Sequence, residues 1–443
     1  MKKSFRLICL LLVSVLLLGM MVGCAQKPAA EEPPKEAAAS GDVGEVYEDV
    51  SGTVTVWIYG DYENRLEEEF NKMYPNVKMN FVLVDANEAP KKLQTILASE
   101  DYSELPDVVS LEVASRGQMI NLDIWEVLDE EPYSVKQSGL LDIVLPKLVN
   151  DKGQLVCLPL DNCVGNIYYK RDLAEKYLGT SDPEVLAERL QTWDDFLTLA
   201  NELSGKMDDG EYMLAGATEI MIPMMNQVVE ATVQNGKFVK TEEYEALISM
   251  ANKMQKTGVI GQMEWESAAY WASTELNNVM FYPTAAWFIP DVIKQGSEEQ
   301  QGNWGVLPAP NGGYMSGGSA CAIPSTSENK EAAFAWLQFL SLTMEGSAAW
   351  RDINGVLNCN KEAFETEGFY SGETEWFGGQ DALAVVRESA MKTPAMMPLT
   401  PYDTAIRSAL IQTAVKIMNE DISDEDAFAV FYDSLYSVAP ELK

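Results

Sequence analysis

From about residue 50 onward the chain alternates short runs of strand character with segments whose apolar positions recur at helical spacing. Thr53–Tyr59, β-branched and aromatic and bounded by Ser51-Gly52 and Gly60-Asp61, predicts a strand. Leu66, Phe70 and Met73 then recur every three or four residues, which predicts a helix ending at Tyr74-Pro75-Asn76. Val77–Val84 alternates, with Val77, Met79, Phe81 and Leu83 on one side, as a second strand. An amphipathic segment at 89–99 and a strand at 107–111 complete a strand-helix-strand-helix-strand order, the pattern of a parallel α/β layer. Ligands of such sheets sit beyond the carboxyl ends of the strands, so the segments 59–62, 85–87 and 112–116 are where a site is expected.

The first fifty residues follow neither periodicity. Lys2, Lys3 and Arg6 precede an apolar run, Leu7–Met20, too short for a comfortable bilayer span, which predicts a secretory signal peptide over residues 1–23. The run ends in Met21-Val22-Gly23-Cys24, which resembles the lipobox of bacterial lipoproteins, although Met21 replaces the usual leucine. That resemblance implies cleavage before Cys24, whose acylated thiol and amino group would anchor the chain at the outer face of the cell membrane. Residues 25–49, rich in Ala, Glu and Pro, cannot build a core and are expected to form a flexible stalk.

Composition narrows the function. With 443 residues, 47% of them hydrophobic, the remainder is long enough for more than one domain. A net charge of -36 argues against nucleic acid or anionic lipid as partners of the folded part. Histidine is absent, which excludes Ser-His-Asp and Cys-His catalysis and histidine-ligated metal sites. Carboxylate pairs could still hydrolyse glycosides, but no local motif singles one out. Cys157, Cys163, Cys321 and Cys359 fall in the folded region without metal-type spacing. Cys157 and Cys163 are close enough in sequence to pair, and two separate buried thiols are an equal alternative. No cofactor is implied.

The order of landmarks resembles the extracellular solute-binding proteins of family 1, the maltose-binding-protein-like group. Val54–Asp61 is similar to that family's first strand and ligand loop, and Asp151–Pro159 with Gly165–Leu173 to its first crossing between lobes. Thr192–Leu197 is similar to the helix start that follows, Ala285–Pro290 to its aromatic loop and Trp304–Pro310 to the return crossing. Gly317-Gly318-Ser319 and 323–342 continue the series, the last with Ser325–Asn329 as capping residues ahead of an amphipathic helix.

The resemblance implies an α/β fold of two lobes with a ligand cleft and hinge between them. One lobe would comprise residues 50–160 plus 309–360, the other 161–308 plus 361–443. It implies a monomeric binding protein, not an enzyme, that captures a small solute, a mono- or oligosaccharide, by hinge closure and hands it to the permeases of an ABC importer. A surface sensor or adhesin on the same scaffold, or a secreted glycoside-active enzyme, are the alternatives. Sugar faces stack on aromatic rings while their hydroxyls bond to polar side chains. The expected ligand-binding residues are Trp57, Asp61, Glu112, Arg116, Asp161, Asn162, Trp265, Trp287 and Tyr402, from a wider aromatic set that includes Tyr59, Tyr62, Tyr270, Trp271, Tyr282, Phe288 and Trp304. The methionines of 221–225 and 396–397 are read as irregular core packing.

Overall fold

The computed structural model describes residues 49–86, 88–395 and 397–443. The signal peptide, Cys24 and nearly all of the stalk lie outside them, as do Asn87 and Met396.

Along the chain, β1 is Gly52–Ile58, α1 Glu67–Met73, β2 Val77–Leu83, α2 Ala89–Ser99, β3 Val108–Glu112 and α3 the single turn Val113–Arg116. The strand and helix assignments of the opening segment therefore agree with the periodicities to within one or two residues at most ends. β4 (Leu158–Pro159) and β5 (Gly165–Lys170) follow, then α4 (Trp193–Leu203), α5 (Thr218–Met225), β6 (Phe281–Ala285) and β7 (Trp304–Pro308). β8 (Ser319–Ala322), α6 (Lys330–Leu342), α7 (Asp403–Asn419) and α8 (Asp424–Val438) complete the main elements.

Two sheets organise these elements. The first runs β2-β1-β3-β8-β4. Its β2-β1-β3 part is parallel, whereas β8 is antiparallel to both β3 and β4. β3 is buried over its first four residues, Val108–Leu111, as an interior parallel strand requires. The second sheet, β6-β5-β7, is antiparallel throughout, with β5 buried along its whole length.

Helix starts are set locally. Thr192 and Asp195 form a reciprocal capping box that begins α4, where Trp193, Phe196, Leu199 and Leu203 face the second core. α6 departs from expectation. Its residues Ala332–Leu342 are all buried, so it is a core helix and not an amphipathic surface one. Ser327 and Asn329 do not cap it; both bond to Asp107 at the foot of β3 instead.

Three passages of chain run side by side between the sheets. Asn162 N–H donates to Leu357 O (2.6 Å), Ser316 N–H to Cys163 O (2.9 Å) and Leu160 N–H to Ser319 O (2.8 Å). This bonded strip of residues near 160–164, 315–319 and 356–360 is the floor on which the site is built. Cys157, Cys163, Cys321 and Cys359 are free buried thiols along or beside it, so Cys157 and Cys163 form no disulfide.

Candidate functional site

A cavity of about 250 Å³ opens above this floor. At its base Asp161 is locked by two donors, Ser319 N–H to Oδ1 (2.7 Å) and the Cys163 thiol to Oδ2 (2.9 Å). Burial pushes its carboxyl above the ordinary range despite those donors. Tyr59, the residue after β1, reaches the same point, its hydroxyl paired with Ser319 Oγ.

Two more acids enter, Glu112 from the end of β3 and Glu63 from the 3-10 turn 63–66 that follows β1. Glu63, almost fully buried, accepts from Ser110 Oγ (2.6 Å) and is raised to about 7 by desolvation. Glu112 ends β3 and accepts from Ala114 N–H (2.7 Å); desolvation raises it as well. Trp265, Glu266, Trp287, Asp291 and Trp350 also line the cavity. Trp287 is held edge-on by Trp271 and Phe288, at 6.4 and 6.0 Å between ring centroids. From α7, the Arg407 guanidinium lies 4.7 Å from the Trp265 ring centroid.

Tyr62 O–H donates to Asp291 Oδ2 (2.9 Å) across one rim. The interior combines ring faces with carboxyl acceptors.

Of the residues expected from sequence, Glu112, Asp161, Trp265 and Trp287 line this cavity together. The others do not, each for a physical reason. Trp57 is 4% exposed in the core, with the Lys92 ammonium 4.2 Å from its ring centroid. Asp61 points outward and is held by Arg65 (2.9 Å) and Asn64; it lines an outer depression beyond Tyr62. Arg116 is buried and spent on three backbone carbonyls, those of Leu111, Lys147 and Gly318. Asn162, next to Asp161 in an extended segment, faces away from it, and its Oδ1 accepts from Val164 N–H (3.0 Å). Tyr402 packs on the second core at the start of α7. Tyr270, Tyr282, Phe288 and Trp304 are core as well, Trp304 with the Lys170 ammonium 3.5 Å from its ring centroid.

The residues that sequence reasoning passed over are Glu63, Trp350, Arg407, Asp291 and Ser319. The first four sit in no local motif. Only Ser319, beside Gly317-Gly318, carried a signal. Among the described residues no group of His, Cys, Asp and Glu is arranged to hold a metal ion, and no helix is long and apolar enough to cross a membrane.

Residues 66–374 match the family model of the bacterial extracellular solute-binding proteins. The lactose-binding protein of Rhizobium radiobacter is 26% identical over 173 residues, 37% of this chain and 38% of that protein, so well under half of that relative's length is matched. Among solved structures, an extracellular solute-binding protein of family 1 superposes with a TM-score of 0.78 at 18% identity, covering 87% of this chain and 99% of its own. The sugar-binding protein MalE of Xanthomonas citri gives 0.71 at 18% identity, over 88% and 97%. The galacto-N-biose/lacto-N-biose I-binding protein of Bifidobacterium longum, in complex with lacto-N-biose, gives 0.69 at 17%, over 88% and 97%. At these identities the structures establish the fold, the two-lobed α/β arrangement with an interlobe cleft.

Proposed function

Because the chain belongs to the family of bacterial extracellular solute-binding proteins, we propose that it captures a mono- or oligosaccharide in the cavity over Asp161 and delivers it to the permeases of an ABC importer. The observation that carries the sugar reading is the lining itself: Tyr59, Tyr62, Trp265, Trp287 and Trp350 offer ring faces, while Glu63, Glu112, Asp161 and Asp291 offer acceptors for hydroxyl hydrogens. The names of its relatives point the same way, since the lactose-binding, MalE and lacto-N-biose-binding proteins all take sugars.

The two lobes are assigned as residues 50–160 plus 309–360 and 161–308 plus 361–443, hinged on the bonded strip under the cavity. Ligand touching Glu112 and Tyr59 on one lobe and Trp287 and Trp265 on the other favours the closed state by bridging them. The protein is a binding protein and not an enzyme, and it acts as a monomer. Cys24 carries the lipid anchor at the outer membrane face, with residues 25–49 as the tether; Cys24→Ser would release the chain from the cell.

The test is a thermal-shift screen against mono- and oligosaccharides, polyols, amino acids and polyamines, followed by calorimetry. A ligand that binds only the native state raises Tm. A shift confined to one sugar class, with one site per chain and no product formed, supports the proposal. A shift only with amines or amino acids overturns the carbohydrate assignment, and retention by a polymer without release to a permease favours a sensor or adhesin.

A further inference from the structure

A second cavity, of about 110 Å³, adjoins the first and shares two lining residues with it, Gly317 and Arg407. Its other walls differ in kind. Met225, Met315, Met397, Val113, Val228 and Ile406 supply thioether and aliphatic surface from the first lobe, the crossing strip and the second lobe.

The partition between the cavities is thin. Gly317 has φ +102°, a conformation that favours glycine, and a Cβ there would stand 3.4 Å from Cys163 Sγ and 3.7 Å from Trp287 Nε1. Bare backbone therefore forms one edge of the opening. The other edge is the Arg407 side chain, held over the Trp265 ring with no hydrogen bond to any described residue. Gly317 and Arg407, the latter beside Glu112 and Glu266 as well as Trp265, are the residues common to the ring-lined and the methionine-lined cavity.

A second sugar ring would be badly served there. Tyr244 is the aromatic side chain of the lining, and its ring is 2% exposed, stacked on Phe431 at 5.7 Å and edged by Phe238 at 5.2 Å. The polar groups are largely spent. Asp403 accepts from Thr400 N–H (2.9 Å) and Thr400 Oγ1 (2.6 Å), and Thr404 bonds Ala114 and Gln118. Lys147, Asn226 and the Arg407 guanidinium are what remains for hydrogen bonding. Thioethers, in contrast, adapt to apolar groups of varied shape. An apolar cavity of about 150 Å³ takes one benzene ring, so this one suits a short alkyl chain or, with methionines shifting, a single aryl ring.

We propose that the methionine-lined cavity is an aglycone site: the ligand is a glycoside whose sugar occupies the cavity over Asp161 and whose alkyl or aryl substituent passes Gly317 and Arg407 into the second one. This rests on the carbohydrate reading above.

The experiment is calorimetry on the full chain with paired methyl and phenyl glycosides of glucose, galactose, mannose and xylose, alongside the free sugars. For the sugar that binds, the phenyl glycoside binds about tenfold or more tighter than the methyl glycoside, the effect of burying a few carbon atoms. Met225→Trp and Met397→Trp, each filling the cavity from a different segment, abolish that gain and leave the methyl glycoside unchanged. Equal affinity of the pair, or a gain that survives both variants, overturns the aglycone site while leaving the sugar reading intact. Absence of binding by every sugar and glycoside of this panel overturns the aglycone site, and absence of binding by oligosaccharides as well overturns the sugar reading too.

Discussion

Trp287→Ala separates a residue that faces the ligand from one that merely resembles such a residue in sequence, when set beside a substitution at Trp57. Trp287 is half-buried, its edge against Trp271 and Phe288 and its Nε1–H donating to Ser316 O (3.4 Å). A buried aromatic side chain covers about 150–250 Å², which leaves roughly 60–80 Å² of this ring for a ligand. At about 25 cal/mol per Å² that burial is worth about 1.5–2 kcal/mol, and ring stacking adds about 0.5–1.5 kcal/mol. Loss of the ring then weakens binding by about 2–3.5 kcal/mol, roughly 30- to 400-fold in Kd. Trp57→Phe shrinks a core side chain that does not line the cavity, so Tm falls by a few degrees and Kd stays constant. Calorimetry with the sugar identified by the thermal screen reads both, and Trp287→Phe, which keeps a ring, recovers part of the lost affinity. An unchanged Kd in a Trp287→Ala protein that still melts cooperatively, or an equal loss in Trp57→Phe, refutes the reasoning.

Other expectations follow from the same geometry. Tyr62→Phe removes the solvent-exposed bond to Asp291 across the rim, and binding weakens by about 0.5–1.5 kcal/mol, the net worth of a typical hydrogen bond; an unaltered off-rate in stopped-flow measurements excludes a latch at that rim. Glu219, buried in α5 and accepting from the Ala215 and Gly216 amides, is pushed by desolvation from its ordinary 4.5 up to about 8. Folding therefore takes up a proton there, and the group's contribution is full below pH 4.5 and lost as pH rises through 8. The Tm difference between Glu219→Gln and the parent should grow in favour of the variant between pH 5 and pH 8, and a difference that is flat with pH contradicts the assignment. Cys157, Cys163, Cys321 and Cys359 are buried thiols, and burial raises all four, Cys157 to about 11. Iodoacetamide followed by peptide mass analysis should label them in guanidinium and spare them in the native protein; native labelling of Cys163 would show that the floor of the cavity opens to reagent.

What the sequence displayed and what it hid divide along the range of the interaction concerned. β1, α1, β2 and α2 are short-range objects, and their periodicities placed them within a residue or two. The burial of α6 is long-range: its sequence carries a polar start and an apolar stripe, and packing on β1, β4, Phe70, Phe81 and Tyr133 makes every later residue interior. The site follows the same rule. The loop after β1 was the right place to look, but Asp61, its most conspicuous polar residue, has a partner four residues away in Arg65, and a carboxylate satisfied locally has little reason to turn inward. Glu63, which does turn inward, takes its side-chain bond from Ser110, 47 positions on. Arg116 and Arg407 make the converse pair. The first was expected in the site and is consumed by three carbonyls, whereas the second shows nothing in its helix yet stands at the junction of both cavities. A side chain is left free for ligand only when its neighbours in space do not use it. That accounting depends on the crossing strip that brings residues near 161, 317 and 357 together, so the ligand-facing set becomes visible only once that strip is in place.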